Sequence, residues 1–330
     1  MSKGWLSALR DTPMLAESVE VVGLVDIAPG AAKARADEFG LAVATGTDLD
    51  AMLADLKPEF LFDVVIPAAR HDVVATALAR GCHVLSEKPM AASMAEARDL
   101  VTRAAAAGKV HAICQNRRFN EGTRRIKATI DSGALGTLNA IHCDFFVGAH
   151  FGGFRDEMQH VLLLDMAIHT LDAARFMSGK TPLAVYCLET NPAGSWWAHG
   201  ADAHAIFEFS DGVVFNYRGS WSAEGARTSW DSSWRIVGSK GTLLWDGADN
   251  YDANVVTNDT GFFRDLAPIE VLPADPAQTQ THASVIVEFV TALREGRPPE
   301  TIGSDNIKSL AMVFAAIESA DKHQWVQISA

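Results

Sequence analysis

The sequence predicts an α/β chain in two parts: a doubly wound parallel sheet, then an α+β half built on a large, mostly antiparallel sheet. Three observations carry this expectation. Between residues 19 and 114, short apolar runs alternate with alanine-rich, helix-prone stretches, the rhythm of repeated βα units. After Arg117-Arg118-Phe119-Asn120 the rhythm changes to longer segments with period-two alternation. At 330 residues the chain has room for two domains of ordinary size.

Residues 19–26 read as a buried strand ending in an acid, Asp26. Residues 31–39 are helical and Gly40 stops them. Residues 60–66 form the next strand, ended by Pro67. A helix over 72–79 leads through Gly81 into a strand at 82–85. Residues 93–107 are a long helix and 110–114 a further strand. In the second half, 121–132 is helical, and Gly133 and Gly136 bracket a turn. Strands are expected at 138–146, 203–209, 213–221, 233–237 and 242–245, interrupted by a helix at 161–176. Residues 248–280 lack periodicity and read as loop; helices at 283–295 and 304–321 close the chain. The expected domains are 1–118 and 119–330, with the C-terminal helix packing back on the first.

Composition narrows the function classes. Apolar residues make up 48% and charged residues 21%, as in a globular protein. A net charge of −13 argues against nucleic acid or an anionic membrane as partner. The N-terminus has no signal-peptide pattern, and no apolar run is long enough to span a membrane. Cys82, Cys114, Cys143 and Cys187 lack paired spacing for a metal or redox motif, so buried, reduced thiols in a cytoplasmic protein are expected.

Two constellations bear chemistry. Glu87-Lys88-Pro89 follows the strand at 82–85, and in an open parallel sheet ligands bind beyond the carboxyl ends of the strands. Asp165 and His169, four apart, share one helix face, and Asp172 lies three further on, where it can orient the His169 ring. By itself the helix is compatible with a satisfied buried network, with two ligands of a metal, or with an acid–base pair.

From about residue 19 to 119 the chain resembles the nucleotide-binding half of the Gfo/Idh/MocA (glucose-fructose oxidoreductase / inositol dehydrogenase) family, and the resemblance continues to the C-terminus. It rests on Glu87-Lys88-Pro89, on Pro67-Ala68-Ala69-Arg70-His71 as the family's Pro-x-x-x-His, and on Asp165-Met166-Ala167-Ile168-His169 as its Asp-x-Gly-x-His. Ala167 replaces the usual glycine. Gly238-Ser239-Lys240-Gly241-Thr242 matches a family hairpin turn of structural role.

The resemblance implies a Rossmann-type first domain that takes NAD, with NADP possible. It implies cofactor contacts from Asp26, Ile27, Pro67, His71, Glu87, Lys88 and Asn116. It assigns catalysis to Lys88, Asp165 and His169, with no metal. A polyol or sugar substrate would meet Lys88, Arg155, His160, Asp165 and His169. Trp196-Trp197 with His199 could add a sugar-stacking surface or pack as a sheet edge or oligomer contact. The implied activity is NAD(P)-dependent oxidation of a secondary hydroxyl, or the reverse, in a homodimer or homotetramer assembled through the C-terminal sheet. A non-catalytic ligand sensor on the same fold is the alternative.

One departure is large. A first strand and a Gly-x-Gly-x-x-Gly turn should precede residue 5, and Gly4 is at best the tail of that fingerprint. The expectation is a Rossmann-type sheet lacking its central strand, with two exposed strand edges. Either the natural start lies upstream, or the chain binds dinucleotide weakly.

Overall fold

The computed structural model describes residues 2–276 and 279–330. The chain divides into two compact units: Met1–Asn116 with Thr279–Ile307, and Arg117–Gln278 with Lys308–Ala330. The boundary expected at 118/119 thus falls at 116/117; Thr279–Ile307 groups with the first unit, whereas most of the last helix, Gly303–Lys322, groups with the second.

In the first unit the parallel strands form two separate sheets. β1 (Gly23–Val25) pairs with β2 (Ala44–Gly46), and β3 (Phe60–Asp63), β4 (His83–Ser86) and β5 (His111–Ile113) follow in that order in the second sheet. The strand expected to be buried over 19–26 is only three residues long, and Val22 and Val25 are exposed. Its single neighbour is β2, so one edge lacks the cover that a central strand would give.

Helix boundaries follow local chemistry. Pro67 opens the helix Pro67–Ala79 at its first position, where a missing N–H costs nothing, so the helix begins five residues before the expected start. Ser93 caps Met94–Ala107 by accepting from the Glu96 N–H at 3.2 Å, and Gly108 ends that helix with φ 62°. Asp48 caps Leu49–Leu56, a helix that the sequence reading missed along with β2. Thr281–Glu295 lays Phe289 edge-on against Phe60, at 5.7 Å between ring centroids.

Among the described residues, the second unit is built on nine strands. They are β6 (Leu138–Phe146), β7 (Pro182–Thr190), β8 (Asp202–Phe209), β9 (Val214–Ser220), β10 (Ser233–Gly238), β11 (Gly241–Trp245), β12 (Tyr251–Val256), β13 (Leu266–Pro268) and β14 (Val326–Gln327). Their spatial order is β13-β12-β11-β10-β6-β9-β8-β7-β14, antiparallel except for the β6–β9 pair. Residues 248–280, expected as loop, contain β12 and β13; β7 and β14 were also missed.

Alternation sets the two faces of this sheet. Ile141, Cys143, Phe145, Phe207, Phe215 and Tyr217 point to a buried face, against which the helical run from residue 162 to 178 packs. Leu188 and Ile206 stand half exposed on the other face. All four cysteines are free and buried. Among the described residues, no helix is long and apolar enough to cross a membrane.

Candidate active site

In the first unit the carboxyl ends of β3, β4 and β5 carry Asp63, Ser86-Glu87-Lys88 and Cys114-Gln115-Asn116. Arg70 organises this edge. Fully buried, it donates from Nε to Asp63 Oδ2 at 2.8 Å, from Nη2 to the Val65 carbonyl and from Nη1 to the Pro89 carbonyl, both at 2.5 Å. Arg70 therefore pins the turn that presents Lys88. Burial pushes the Asp63 carboxyl up, and Arg70 partly offsets it. The Lys88–Pro89 peptide is cis.

Glu87 is buried and occupied. Its Oε1 accepts from Trp5 Nε1 at 2.8 Å and from His282 Nε2 at 3.2 Å, and its Oε2 accepts from the Lys88 N–H. Burial raises its carboxyl, but the bonds from His282 and Trp5 outweigh that and hold it below the usual range. Glu87, Cys114 and His282 bring one ligand atom each within 4.8 Å of one another, a grouping that the scattered sequence positions did not show. Hydrogen bonds already satisfy the carboxylate of that group.

Asp26 closes β1 with an exposed carboxylate, whose Oδ1 also accepts from the Ala28 N–H at 2.8 Å. Ile27 beside it is 92% exposed and Ile66, after β3, is 70% exposed, two apolar side chains in water at strand ends. His71 lies in the first turns of Pro67–Ala79, where Asp99 at 2.7 Å and Asp72 at 3.1 Å engage both ring nitrogens and raise its pKa. Pro67 is exposed and Asn116 half buried. These residues fit the ends of a dinucleotide: an acid for ribose hydroxyls at β1, and Lys88 at β4. Gly4 lies inside the helix Ser2–Asp11, so the described residues supply no glycine turn for the pyrophosphate.

In the second unit, one helical run carries the other constellation. Leu162–Ala167 is a π-helix and Ile168–Ser178 continues as α-helix. At 3.6 residues per turn, residues five apart would lie about 140° apart around the axis; the wider π turn brings them closer to register. Asp165 stands in the π turn and His169, four residues on, in the α-helix that continues it. Arg155 fixes Asp165, donating from Nε to Oδ2 at 3.1 Å, while its guanidinium lies over Phe154 at 4.9 Å and Phe151 at 5.3 Å.

His160 has φ 52°, a left-handed backbone uncommon outside glycine. Its Nδ1 meets Glu189 Oε2 at 2.5 Å, and this bond, ahead of burial, raises the His160 pKa. A Cβ at Gly200 would fall 2.7 Å from the Glu189 side chain, so glycine leaves the room that Glu189 occupies. Glu189 lies 29 residues from its partner, outside any local pattern that would mark it.

His169 lines a crevice with Arg117, Met166, Trp230, Asp231 and Trp234. Asp231 pairs with Arg117 and accepts from Asn120 Nδ2 at 2.7 Å. Burial lowers the Arg117 pKa to about 10, which leaves it a cation at neutral pH.

Asp172 gives its carboxylate to Arg118 through two bonds of 2.7 Å and accepts from Ser309 Oγ at 2.6 Å, so it anchors the helix instead of orienting His169. Trp197 is 3% exposed and donates to the Trp221 carbonyl, and Trp196 stacks on His150 at 3.7 Å. Of the two roles expected for that pair, packing is the one its contacts match; the exposed indole beside His169 is Trp230.

Comparison with known proteins agrees with the two-part fold. Residues 4–114 match the model of an oxidoreductase family with an NAD-binding Rossmann fold, and residues 123–244 match the GFO/IDH/MocA C-terminal domain. A D-apiose dehydrogenase of Paraburkholderia graminis is 27% identical, over 99% of this chain and 87% of its own length. A 1,5-anhydro-D-fructose reductase of Ensifer adhaerens is 23% identical, over 94% and 91%. The crystal structure of an Agrobacterium radiobacter oxidoreductase in complex with NAD+, L-tartaric acid and magnesium superposes with TM-score 0.85 at 21% identity, covering 99% of this chain and 95% of that one.

Proposed function

The chain belongs to the Gfo/Idh/MocA family of NAD-binding oxidoreductases, and on that premise we propose that it oxidises a secondary hydroxyl of a sugar or cyclitol, or reduces the matching ketone. The observation that carries the reading is the helical face with Asp165 and His169, held by Arg155 and by the Asp172–Arg118 anchor. Relatives named as a D-apiose dehydrogenase, a 1,5-anhydro-D-fructose reductase and an inositol 2-dehydrogenase support a polyhydroxylated substrate.

NAD supplies the hydride acceptor when bound. Asp26, Ile27, Pro67, His71, Glu87, Lys88 and Asn116 would hold it. Oxidation of an alcohol requires loss of the hydroxyl proton, and the imidazole of His169 is the group placed to accept it. The Lys88 ammonium stabilises the developing alkoxide, and Arg70 keeps it presented by fixing the turn. Asp165, aimed by Arg155, accepts from a neighbouring hydroxyl. Arg155 and His160 add donors to the substrate's remaining oxygens. The half-exposed apolar residues Leu188 and Ile206 support assembly of two or four copies through the open sheet face, and the buried free thiols support a cytoplasmic setting.

The test is NADH formation with a panel of sugars and cyclitols, using wild type and His169→Ala. Loss of about 10²- to 10⁴-fold in kcat at unchanged melting temperature is expected. Equal turnover in the two proteins would remove His169 from the reaction.

A further inference from the structure

Trp230 is the unexplained part of the His169 crevice. Its side chain is 49% exposed, although it lines the same wall as His169 and Met166. A large apolar ring left half in water beside polar groups is out of place unless something covers it.

It is also held still. Trp221 meets it edge-on at 5.7 Å, and Phe145 and Phe151 flank it at 6.4 Å each. The backbone on both sides is pinned. Thr228 N–H donates to the Phe146 carbonyl at 3.0 Å, Ser229 Oγ donates to the Gly247 carbonyl at 2.9 Å, and Asp231 N–H donates to Ser229 Oγ at 3.0 Å. Asp231 in turn holds Arg117 and Asn120, and its carbonyl accepts from Trp234 Nε1 at 2.7 Å. A fixed platform loses little conformational entropy on binding.

The charge around it is balanced. Arg117 is paired with Asp231, and Arg155 with Asp165, so the wall offers no surplus cation to a carboxylate or phosphate. The indole N–H groups of Trp197, Trp234 and Trp245 donate to backbone carbonyls, whereas that of Trp230 has no protein acceptor among the described residues. The wall therefore presents a flat apolar face with one donor at its rim.

We propose that Trp230 is the platform on which the C–H face of a neutral, ring-closed sugar or cyclitol lies, and that it selects ring substrates over open-chain polyols. This rests on the oxidoreductase reading above and names its substrate class. A closed ring sets several C–H bonds on one side and its hydroxyls on the rim, which matches an indole face with polar neighbours. An open chain has no such face.

The experiment compares wild type with Trp230→Leu and Trp230→Phe. Ring probes are myo-inositol, D-glucose and methyl β-D-glucoside; open-chain probes are D-sorbitol and xylitol, all with saturating NAD. Stacking on an aromatic ring is lost in Trp230→Leu, so KM for ring probes rises about tenfold while kcat stays within about twofold. Trp230→Phe keeps most of the wild-type KM, and open-chain KM does not move. Saturation-transfer NMR in the presence of NADH should concentrate saturation on ring C–H protons in wild type. If Trp230→Leu does not fold, the ring preference of wild type and the Trp230→Phe result decide. A folded Trp230→Leu with unchanged ring KM, or a wild type that turns over only open chains, would overturn the platform and leave the oxidoreductase reading standing. Absence of both turnover and saturation with every polyol would bring down that reading itself.

Discussion

Replacing Asp172 separates an anchor from a catalytic group. Its carboxylate is wholly buried, takes two hydrogen bonds from Arg118 and one from Ser309, and Arg118 is 4% exposed. Asp172→Asn removes the charged half of a buried ion pair, a loss of about 3–5 kcal/mol for a pair of this kind. The second unit holds about 185 residues. At about 2.1 cal/mol/K of unfolding entropy per residue, the loss lowers its melting temperature by about 10 °C. Removing both charges in Arg118→Met/Asp172→Leu should recover much of that, because replacing a buried ion pair by apolar side chains of similar volume is often neutral. The assay is a thermal melt followed by near-UV circular dichroism, run beside NADH formation at a temperature where every variant is folded. There, Asp172→Asn should keep kcat within a few-fold. An Asp172→Asn protein that melts like wild type but has lost turnover would show that the carboxylate serves His169, and the anchor assignment would fail.

Three further outcomes are expected. Lys88→Ala should lose about 10²-fold or more in kcat with an unchanged melt, since its ammonium acts on transition-state charge; full activity in a folded variant would exclude that role. Wild type should prefer NAD, and Asp26→Ser should narrow the preference by losing the acid that repels a 2′-phosphate, which fluorescence titration of both dinucleotides would read. The His160–Glu189 bond raises the His160 pKa above its unfolded value of 6.5, so its extra stability is fully present below pH 6.5 and fades as pH climbs through the raised value. Glu189→Gln should accordingly cost about 1 kcal/mol more at pH 6 than at pH 9, the difference between a charge-assisted and a neutral hydrogen bond; a pH-independent loss in paired melts would contradict it.

How much of this was readable depends on what each residue needs to reveal itself. Lys88, Asp165 and His169 stand in short local patterns, and the helix carrying the last two shows in its apolar spacing. The π turn inside it does not show, because five-residue register leaves no signature in so short a run. β2 is three residues, Ala44–Gly46, and β7 starts at a proline, so neither offers a usable alternation. Asp172 stood at the right spacing to serve His169, yet a residue 54 positions away claimed it. Arg70 sat in view within Pro67–His71, but nothing local tells that its side chain turns inward to grip Asp63 and Pro89. Trp230 lies in a segment without periodicity, where only the fold decides which indole meets water.

The divided parallel sheet has a consequence for how the first unit opens. β1 and β2 share three residue pairs and, among the described residues, bond to no other strand, whereas β3, β4 and β5 are knitted together with Arg70 and the Thr281–Glu295 helix. The amides of Gly23–Val25 and Ala44–Gly46 should thus exchange with solvent by a local opening that leaves the second sheet closed. Asp26 sits at the end of the loosely held pair. A dinucleotide that grips Asp26 would then act as a clasp, slowing exchange in that pair by the factor its concentration sets against its dissociation constant. Deuterium uptake at β1 and β2, with and without NAD, reads that grip directly, with no need to know the substrate.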